Sequence, residues 1–415
     1  MKALFFVVLI SNALMASTEL SWRQCLEETS NNNYSVKSSK ESLKASESSV
    51  RASYGSFLPQ VNFSLGYNYG ENYSSSSTGN SKNNYNATLS ISQNIFNGLY
   101  DYAGTKKLRA GVELSKSSLD SAIAQVSYDL KSKYADLIYA QSAVKLYEDI
   151  IRRREDNLRL VQLKFESGRE NKGSALLSVA YLNQAKYEST IAKNDVDIAR
   201  VNLARVLGRK DVDDVNVSDK VPITEPPVSP DLKELVLETP EYRQAIAQES
   251  MAESLITQAR SGFFPTLSLN GVYAKQGETW YPNDERWYVG LTLSVPLFNG
   301  GRDYYSTKGA AAGYRSAVFS REDLTRSLLS KLKSAYNDHV EAVEKLKVDE
   351  SFLKALLVRA EIARKKYSNG LLSFEDFDNI ENDLINRQKA VLNSRRDRIV
   401  KEAAWLQALG KGDLI

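Results

Sequence analysis

The sequence predicts an α+β membrane protein built from a tandem duplication, with a β-hairpin and a long coiled-coil helix in each repeat. Three observations lead to this class. The tripeptide Phe-Asn-Gly occurs at 96–98 and again at 298–300, 202 residues later. Alternating apolar and polar residues precede each copy. Apolar residues at a seven-residue spacing follow the first copy.

Composition excludes several classes of function. The 415-residue chain has 54 Lys and Arg against 51 Asp and Glu, so its net charge is +3. This balance does not favour a nucleic-acid partner, because phosphates attract a strongly basic surface. A single histidine and a single cysteine exclude His/Cys metal clusters and most nucleophilic triads. We expect no cofactor and no metal site, and a hydrolase that depends only on carboxylates stays open.

The N-terminus, residues 1–17, has the pattern of a secretory signal peptide: Lys2, an apolar run, then small residues before cleavage after Ala16 or Ser17. Cys25 does not follow the small residues that precede a lipidated cysteine, so we expect a lone thiol. No later apolar run approaches the roughly 20 residues that a membrane helix needs. We therefore expect an exported chain that enters a membrane with strands.

The duplication organises the chain after residue 17 into two repeats, 18–208 and 240–410. After Phe-Asn-Gly, pairs of equivalent residues keep the 202-residue offset. Before it, the two Phe-x-Pro motifs are 206 residues apart. The difference places four extra residues in the loop of the first hairpin. The pairs are Gly168 with Gly370, 207–208 with 409–410, and 57–59 with 263–265.

Each repeat has the same predicted order: a helix, a hairpin, a long helix and a shorter return helix. In the first repeat, 18–208, these span 33–56, about 59–96, 101–166 and 174–207. In the second, 240–410, they span 240–262, about 265–298, 303–368 and 374–409. The linker, 209–239, has four prolines between 222 and 230 and is predicted to lack regular structure.

The strand segments predict a sheet with one apolar and one polar face, because every second residue of 61–69 and 287–298 is apolar. Four strands cannot close a barrel, and an open edge in lipid leaves backbone groups unpaired. Several chains must therefore contribute: two would give eight strands, and three would give twelve and a passage. The alternative is a soluble sandwich. The polar positions are small: Asn62, Ser64, Asn68, Thr88, Ser90, Thr292 and Ser294.

The long helix of the first repeat carries a regular apolar seam, which predicts coiled-coil packing. His339 is equivalent to Leu137 of this seam and is expected to be a packing residue. The basic runs at 151–156 and 395–398 are expected on outward helix faces. The seam is Ile123, Leu130, Leu137, Val144, Ile151, Leu158 and Phe165.

On these motifs the chain resembles the TolC family of outer-membrane efflux ducts. The resemblance covers essentially the whole mature chain. It is carried by SFLPQVNFSLGY and GFFPTLSLNGVY, both Phe-Asn-Gly sites, KFESG, KYSNG and the paired Leu-Gly ends. It implies a homotrimer with a twelve-stranded barrel and a long helical tunnel across the periplasm. It also implies an inner-membrane pump and a periplasmic adaptor that docks at the helix tips.

The resemblance further implies an aperture at those tips. Asp376 stands where the family has an acidic residue six positions after the tip glycine, and Asn379 where it can have a second acid. Leu372 replaces the family's aperture-locking basic residue. Tyr367 matches the tyrosine that locks neighbouring helices, and its expected acidic partner falls at Ser174, which predicts a weaker hydroxyl contact. Gating is expected to differ in detail from the family pattern.

Other tip residues have a structural and a functional interpretation. Ser373 and Asp376 fit a capping box, Ser-x-x-Asp, at the start of the return helix. Gly168 and Gly370 fit left-handed helix ends.

We predict adaptor docking at the tip turns, with a solvated turn as the alternative interpretation. We also predict a belt of aromatic residues at the membrane interface, near one end of the strands. The remaining candidates are Arg169, Glu170 and Lys172 for docking, beside Gly168, Gly370 and Ser373, and Trp280, Tyr281, Trp287 and Tyr288 for the belt.

The sequence thus predicts a non-enzymatic outer-membrane exit duct of a tripartite efflux or type I secretion system, which conducts substrate passively to the exterior. The alternative of another class is a soluble periplasmic coiled-coil scaffold without a passage. Whether the cargo is a drug, a metal or a polypeptide is left open by the sequence.

Overall fold

The computed structural model describes residues 19–70, 83–210, 215–217 and 221–414, so the predicted signal peptide lies outside the described residues. These residues form two compact units. The helical unit contains the described residues up to Ser38, Asp120–Val236, and those from Leu329 onward, and the sheet unit contains Ser39–Leu119 and Leu237–Leu328. The elements are β1 (Glu19–Leu20), α1 (Trp22–Asn32), α2 (Tyr34–Ser53), β2 (Gln60–Tyr69), β3 (Asn83–Asn97), α3 (Tyr100–Glu166), α4 (Lys172–Leu207), β4 (Asn216–Val217), α5 (Leu232–Glu238), α6 (Pro240–Arg260), β5 (Thr266–Gly277), β6 (Asp284–Ser294), α7 (Arg302–Ser368) and α8 (Phe374–Ala408).

The sheet unit holds a four-stranded antiparallel sheet in the order β2-β3-β5-β6, with β2 and β6 at its edges. Residues that face each other across antiparallel strands lie on the same side of a sheet. Phe63 faces Leu89, and Leu269 faces Leu291, so the predicted apolar positions share one face across the sheet. Ser64 faces Thr88 on the opposite, polar face.

Two strands differ in length from the sequence pattern. The alternation predicts a strand through residue 298, but β6 ends at Ser294. Pro296, two residues later, has no N–H to donate to a neighbouring strand. β3 is 15 residues long, because its last residues pair with β5 beyond the point where β2 begins.

The N-terminal part of the helical unit packs around Tyr134 of α3. The Trp22 ring meets the Tyr134 ring edge-on at 5.3 Å, and the Tyr134 hydroxyl donates to the Leu20 carbonyl at 3.2 Å. Cys25 of α1 is a free cysteine and fully buried, and burial raises the pKa of its thiol to about 12. The thiol is therefore protonated at neutral pH and lacks nucleophilic character.

The first predicted helix, 33–56, is only partly correct. The structure has an additional helix, α1, and the chain is extended at Asn33 between α1 and α2. The Asn33 side chain accepts from the Ser35 N–H at 2.9 Å and donates to the Val206 carbonyl at 2.8 Å. The first bond caps α2, and the second fixes the interruption between α1 and α2 against α4.

The prediction of an unstructured linker over 209–239 is wrong at two places. β4 pairs in parallel with β1, with Val217 facing Leu20. After the prolines, α5 begins within the linker and has Val236 buried. Both elements depend on tertiary partners, which proline content does not report.

The two longest helices, α3 and α7, have 67 residues each. Within α3, Leu130 and Leu137 of the seam are fully buried. α4 begins at Lys172, two residues before the predicted start, because Asn171 caps it. Among the described residues, no helix combines the length and the apolar content needed to cross a membrane.

Candidate functional sites at the helix turns and on the sheet

Two helix turns of the helical unit have the same backbone structure. The α3–α4 turn has Gly168 at φ +73°, and the α7–α8 turn has Gly370 at φ +75°. In each turn the glycine and the next residue donate backbone hydrogen bonds to carbonyls of the last helical turn. This is the left-handed helix end predicted for both glycines.

Each return helix is capped by a side chain. Asn171 accepts from the Ser174 N–H at 2.9 Å at the start of α4. Ser373 accepts from the Asp376 N–H at 3.1 Å at the start of α8, and its hydroxyl donates to the Asp376 carboxylate at 2.6 Å. The Asp376 side chain therefore bonds to the capping hydroxyl, at a helix N-terminus where negative charge is favourable.

Tyr367, near the end of α7, is the central residue of the second turn. Its ring is 1% exposed and stacks on the Phe377 ring of α8 at 4.7 Å with an interplanar angle of 3°. Its hydroxyl donates to a Glu170 carboxylate oxygen at 3.0 Å. Burial and this hydrogen bond raise the pKa of Tyr367 well above its ordinary value, so the phenol is protonated at neutral pH.

Lys164, in the last turn of α3, also contacts Tyr367. The Lys164 ammonium lies 4.2 Å from the centre of the Tyr367 ring and donates to the Tyr367 carbonyl. A cation over an aromatic face is attracted by the negative charge of that face. Glu170 and Lys164 together tie the first turn to the second at one aromatic residue.

The predicted contact between Tyr367 and Ser174 is wrong. Ser174 is buried in the first turn of α4, where its N–H bonds to the capping Asn171. The acidic partner of Tyr367 is Glu170, which lies in the turn itself. The resemblance did not reveal this partner, because the family's acidic position corresponds to Ser174, which lies within α4. Glu170 lies in the turn before α4, from which its side chain reaches Tyr367.

The other tip candidates divide by exposure. Arg169 and Lys172 are exposed, as are Asp376 and Asn379 on one face of α8. Leu372 is half-buried and packs against the apolar cluster around Tyr367.

Asp383 extends the exposed face of α8 that carries Asp376 and Asn379. It lies seven residues after Asp376, on the same side of the helix, and is exposed. Its carboxylate lies 3.9 Å from the Arg359 guanidinium, and both side chains are more than half exposed. Sequence reasoning missed this second acid, although the seven-residue spacing could have revealed it.

The expectation that 151–156 faces outward is wrong for Arg154. Its side chain is 8% exposed and donates to the Asp378 carboxylate at 3.0 Å and to Asn382. The guanidinium also lies 4.6 Å from the centre of the Tyr181 ring. This buried ion pair joins α3 to α8 and contacts α4. Nothing in the basic run distinguishes Arg154 from its exposed neighbour Arg152.

The aromatic candidates of the sheet unit do not all share one face. Trp287 faces Tyr273 on the apolar side, whereas Tyr288 faces Val272 on the polar side, because neighbouring strand residues point in opposite directions. Trp280 and Tyr281 lie in the loop after β5 with ring centres 6.4 Å apart. The predicted belt therefore excludes Tyr288.

The described residues show no group of three or more His, Cys, Asp or Glu side chains that could hold a metal ion. The arrangements present are an apolar sheet face with open edges and two helix turns joined by Tyr367.

Comparison with known proteins gives one family. A family model described as outer membrane efflux protein matches residues 25–209 and 232–411, one match in each repeat. AprF of Pseudomonas aeruginosa, an alkaline protease secretion protein, is 25% identical over 77% of this chain and 68% of its own length. SilC of Salmonella typhimurium, a probable outer membrane lipoprotein, is 23% identical over 93% of this chain and 84% of its own length.

A solved structure shares the fold. A structure of CusC, described in terms of folding and transmembrane channel formation, aligns with a TM-score of 0.84 over 95% of both chains at 16% sequence identity. This similarity in fold confirms the predicted fold class.

Proposed function

The chain belongs to the outer membrane efflux protein family, and from that premise we propose that three copies form an exit duct through the outer membrane. In this proposal an inner-membrane pump and a periplasmic adaptor deliver the substrate, and the duct conducts it passively in a tripartite efflux or type I secretion system. Relatives named for protease secretion and for cation efflux support this assignment. The duct itself catalyses no reaction.

The main support for the proposal is the four-stranded sheet, which has an apolar face and two open edges. One face is apolar across neighbouring strands, and its two edges, β2 and β6, have no further neighbouring strand among the described residues. An open edge in lipid leaves N–H and C=O groups without partners, at several kcal/mol each. Three copies supply twelve strands, which leave room for a passage lined by the small polar face.

We place the closed end of the duct at the two helix turns. Tyr367, held by Glu170 and Lys164, joins the turns of one chain and so opposes their separation. Asp376 is exposed beside the second turn, and three copies of it would form a ring of carboxylates that attracts cations. The exposed Arg169 and Lys172 are then available to an adaptor.

Single-channel conductance in a planar bilayer tests the proposal. We expect small, steady, cation-preferring currents from the purified trimer. Tyr367→Ala should increase the conductance, whereas Phe165→Ala, at the equivalent and exposed position of the first repeat, should not. Asp376→Asn should reduce the preference for cations. Folded trimers without any channel activity would contradict the proposal and favour the scaffold.

Membrane assembly gives an independent test. Leu291→Asp places a carboxylate on the apolar face of β6, where a charged residue is unfavourable in lipid, although by less than the about 2–4 kcal/mol of an Arg or Lys at the bilayer midplane. We expect this variant to fail to assemble in the outer membrane. Thr292→Asp, on the polar face one residue away, is the matched control and should assemble. Normal assembly of both variants would contradict the lipid-facing assignment.

A further inference from the structure

Residues 221–227 have no regular secondary structure, and we call this segment of the helical unit the strap. Two contacts hold it to α8. The Thr224 N–H and hydroxyl donate to the Glu402 carboxylate at 3.1 and 3.0 Å, and Glu402 is fully buried. Glu225 pairs with Arg398 at 2.6 Å. The strap is therefore fixed in place although it belongs to no helix or strand.

A cavity of about 560 Å³ lies between the strap, α3, α7 and α8, and we call it the strap cavity. More than half of its lining residues are aliphatic. Val221 and Ile223 of the strap form one side, and Ile138, Leu346 and Leu392 belong to the three helices. The volume falls within the range of pockets that hold small molecules in proteins, which are mostly apolar with a few polar groups.

The basic run at 395–398 supplies the polar part of the wall. Arg395, Arg396 and Arg398 line the strap cavity, and Glu350 is the only acid among the described residues that line it. The expectation that this run faces outward is therefore correct for the exposed Arg395 and wrong for the half-buried Arg396 and Arg398. Three guanidinium groups beside one carboxylate favour an anionic ligand.

The arginines of the wall have acidic partners but are not saturated by them. Arg396 donates to Asp136 through Nε at 2.7 Å. Arg398 donates to Glu225 through one terminal nitrogen, and a guanidinium has five N–H donors. The Nε atom of Arg398 is buried and has no hydrogen-bond partner among the described residues. A buried donor without a partner is unfavourable, so an acceptor from a ligand would stabilise this atom.

Tyr139 of α3 adds a neutral donor to the same wall. Burial is the main cause that raises the pKa of its phenol above the ordinary value, so the hydroxyl is protonated at neutral pH. A protonated hydroxyl can donate a hydrogen bond to a carboxylate. The strap cavity thus combines an aliphatic wall with donors that suit one anionic group.

We propose that the strap cavity binds a small amphiphilic carboxylate, a molecule with an apolar body and a single anionic group. The apolar body packs against the aliphatic residues of the strap and the helices. The carboxylate accepts from the Arg398 guanidinium and from the Tyr139 hydroxyl. Because the strap is fixed by Glu402, the site is formed before the ligand binds. The site lies within the helical unit of one chain, so the inference stands independently of the proposed trimeric duct.

Isothermal titration calorimetry of the purified full-length chain in a nonionic detergent tests the proposal, with 2-naphthoate as the probe. We expect saturable binding at one site per chain after subtraction of the heat measured with detergent alone. The alcohol 2-naphthalenemethanol has the same ring without the charge, and acetate has the charge without the ring. Each should bind at least about tenfold more weakly, because each lacks one of the two kinds of contact.

Four variants locate the site. Arg398→Gln should weaken binding about tenfold to a hundredfold, which corresponds to the loss of one hydrogen bond between charged groups. Glu225→Gln removes the acid that joins the strap to Arg398 but leaves the guanidinium, so binding should be retained. Leu392→Trp, at a half-buried position of the wall, should fill the cavity and abolish binding. Arg152→Gln, at an exposed site elsewhere, is the control and should bind normally.

Thermal melting gives a second readout. Saturating 2-naphthoate should raise the melting temperature of the unmodified chain but not that of Leu392→Trp, because a ligand stabilises only the folded state that binds it. Helical circular dichroism checks that each variant is folded.

Three results would overturn the inference. The first is equal binding of 2-naphthoate and 2-naphthalenemethanol, since the arginine wall would then play no part. The second is a heat no larger than that of detergent alone, or binding that folded Arg398→Gln and Leu392→Trp both leave unchanged. The third is a loss in Glu225→Gln as large as that in Arg398→Gln, because Arg398 would then act only by fixing the strap.

Discussion

Phe165 and Tyr367 occupy equivalent positions at the two helix turns, yet Phe165 is 41% exposed and Tyr367 is 1% exposed. The backbone does not explain the difference, because both turns end in a left-handed glycine. The neighbours do: Tyr367 stacks on Phe377, whereas the residue equivalent to Phe377 is the small Ala175. Duplication therefore preserved the turn, and the packing residues around it buried the aromatic side chain in the second copy only.

The same contrast holds further along the helices. Arg154 and Asp378 form a buried ion pair, whereas their equivalents are Leu356 and the exposed Leu176. The two repeats share helices and turns but differ in the side chains that join them. Substitutions that exchange residues between repeats are therefore the most direct way to test the comparison.

The largest expected effect is at Tyr367. Tyr367→Ala removes a buried aromatic ring and leaves Glu170 without its phenol, so we expect the free energy of unfolding to fall by about 3–5 kcal/mol. Phe165→Ala removes an exposed ring and should cost less than about 1 kcal/mol. Denaturation in detergent, followed by helical circular dichroism, measures both. Equal losses at the two positions would remove the distinction between the turns.

A slightly smaller effect is expected at Arg154. Arg154→Leu introduces the residue of the second repeat and leaves Asp378 buried without its cation, at a cost of about 3 kcal/mol. Adding Asp378→Leu should recover most of that loss, since the pair is then replaced by apolar residues. Arg152→Leu, at an exposed site, is the control. The same denaturation assay applies, and a double variant no more stable than Arg154→Leu would contradict the pairing.

The turn glycines should respond alike. Gly168→Ala and Gly370→Ala each force a side chain into the left-handed region, although both sites have open space, so each should cost about 1–2 kcal/mol. Gly111→Ala, within α3 and also in open space, should instead stabilise by up to about 1 kcal/mol. Thermal melting measures the three. Unequal costs at Gly168 and Gly370 would show that the turns differ in backbone as well as in side chains.

The smallest effect is a pH dependence at His339, whose equivalent in the first repeat is Leu137. Burial lowers the pKa of His339; Arg398 acts in the same direction, and Glu402 and Glu225 oppose it. The unfolded chain then binds a proton near pH 6.5 that the folded chain does not. Stability should therefore fall as pH drops below about 6.5, by at most about 1.4 kcal/mol per pH unit. His339→Leu should flatten unfolding midpoints between pH 7 and pH 5.5, and an unchanged slope would exclude His339 as the cause.

Much of the fold could be predicted because it depends on local patterns. The seven-residue spacing in α3, the period of two in β2 and the glycines at 168 and 370 each restrict the backbone directly. α1 and α5 were missed because their apolar faces are completed by partners far away in the sequence. β6 was predicted too long because the apolar alternation continues to residue 298, whereas Pro296 has no N–H to donate to a neighbouring strand.

The sequence predicted which residues lie at the candidate site, but not which residues they contact. Ser373 and Asp376 were identified as a capping box from their spacing, and Tyr367 and Asp376 were identified as tip residues from the family resemblance. Glu170 as the partner of Tyr367, and Arg154 as a buried residue, were not, because neither contact has a fixed sequence separation.

The sequence by itself determined the duplication, the long helices and hairpin strands, the two faces of the sheet, the turn geometry and the family. Tertiary structure alone decided which acid meets Tyr367, which arginine of a basic run is buried and where each edge strand ends. The physical reason is that periodicity and backbone conformation are set by neighbours in the chain. Burial and pairing are set by whichever distant segment comes within a few ångströms.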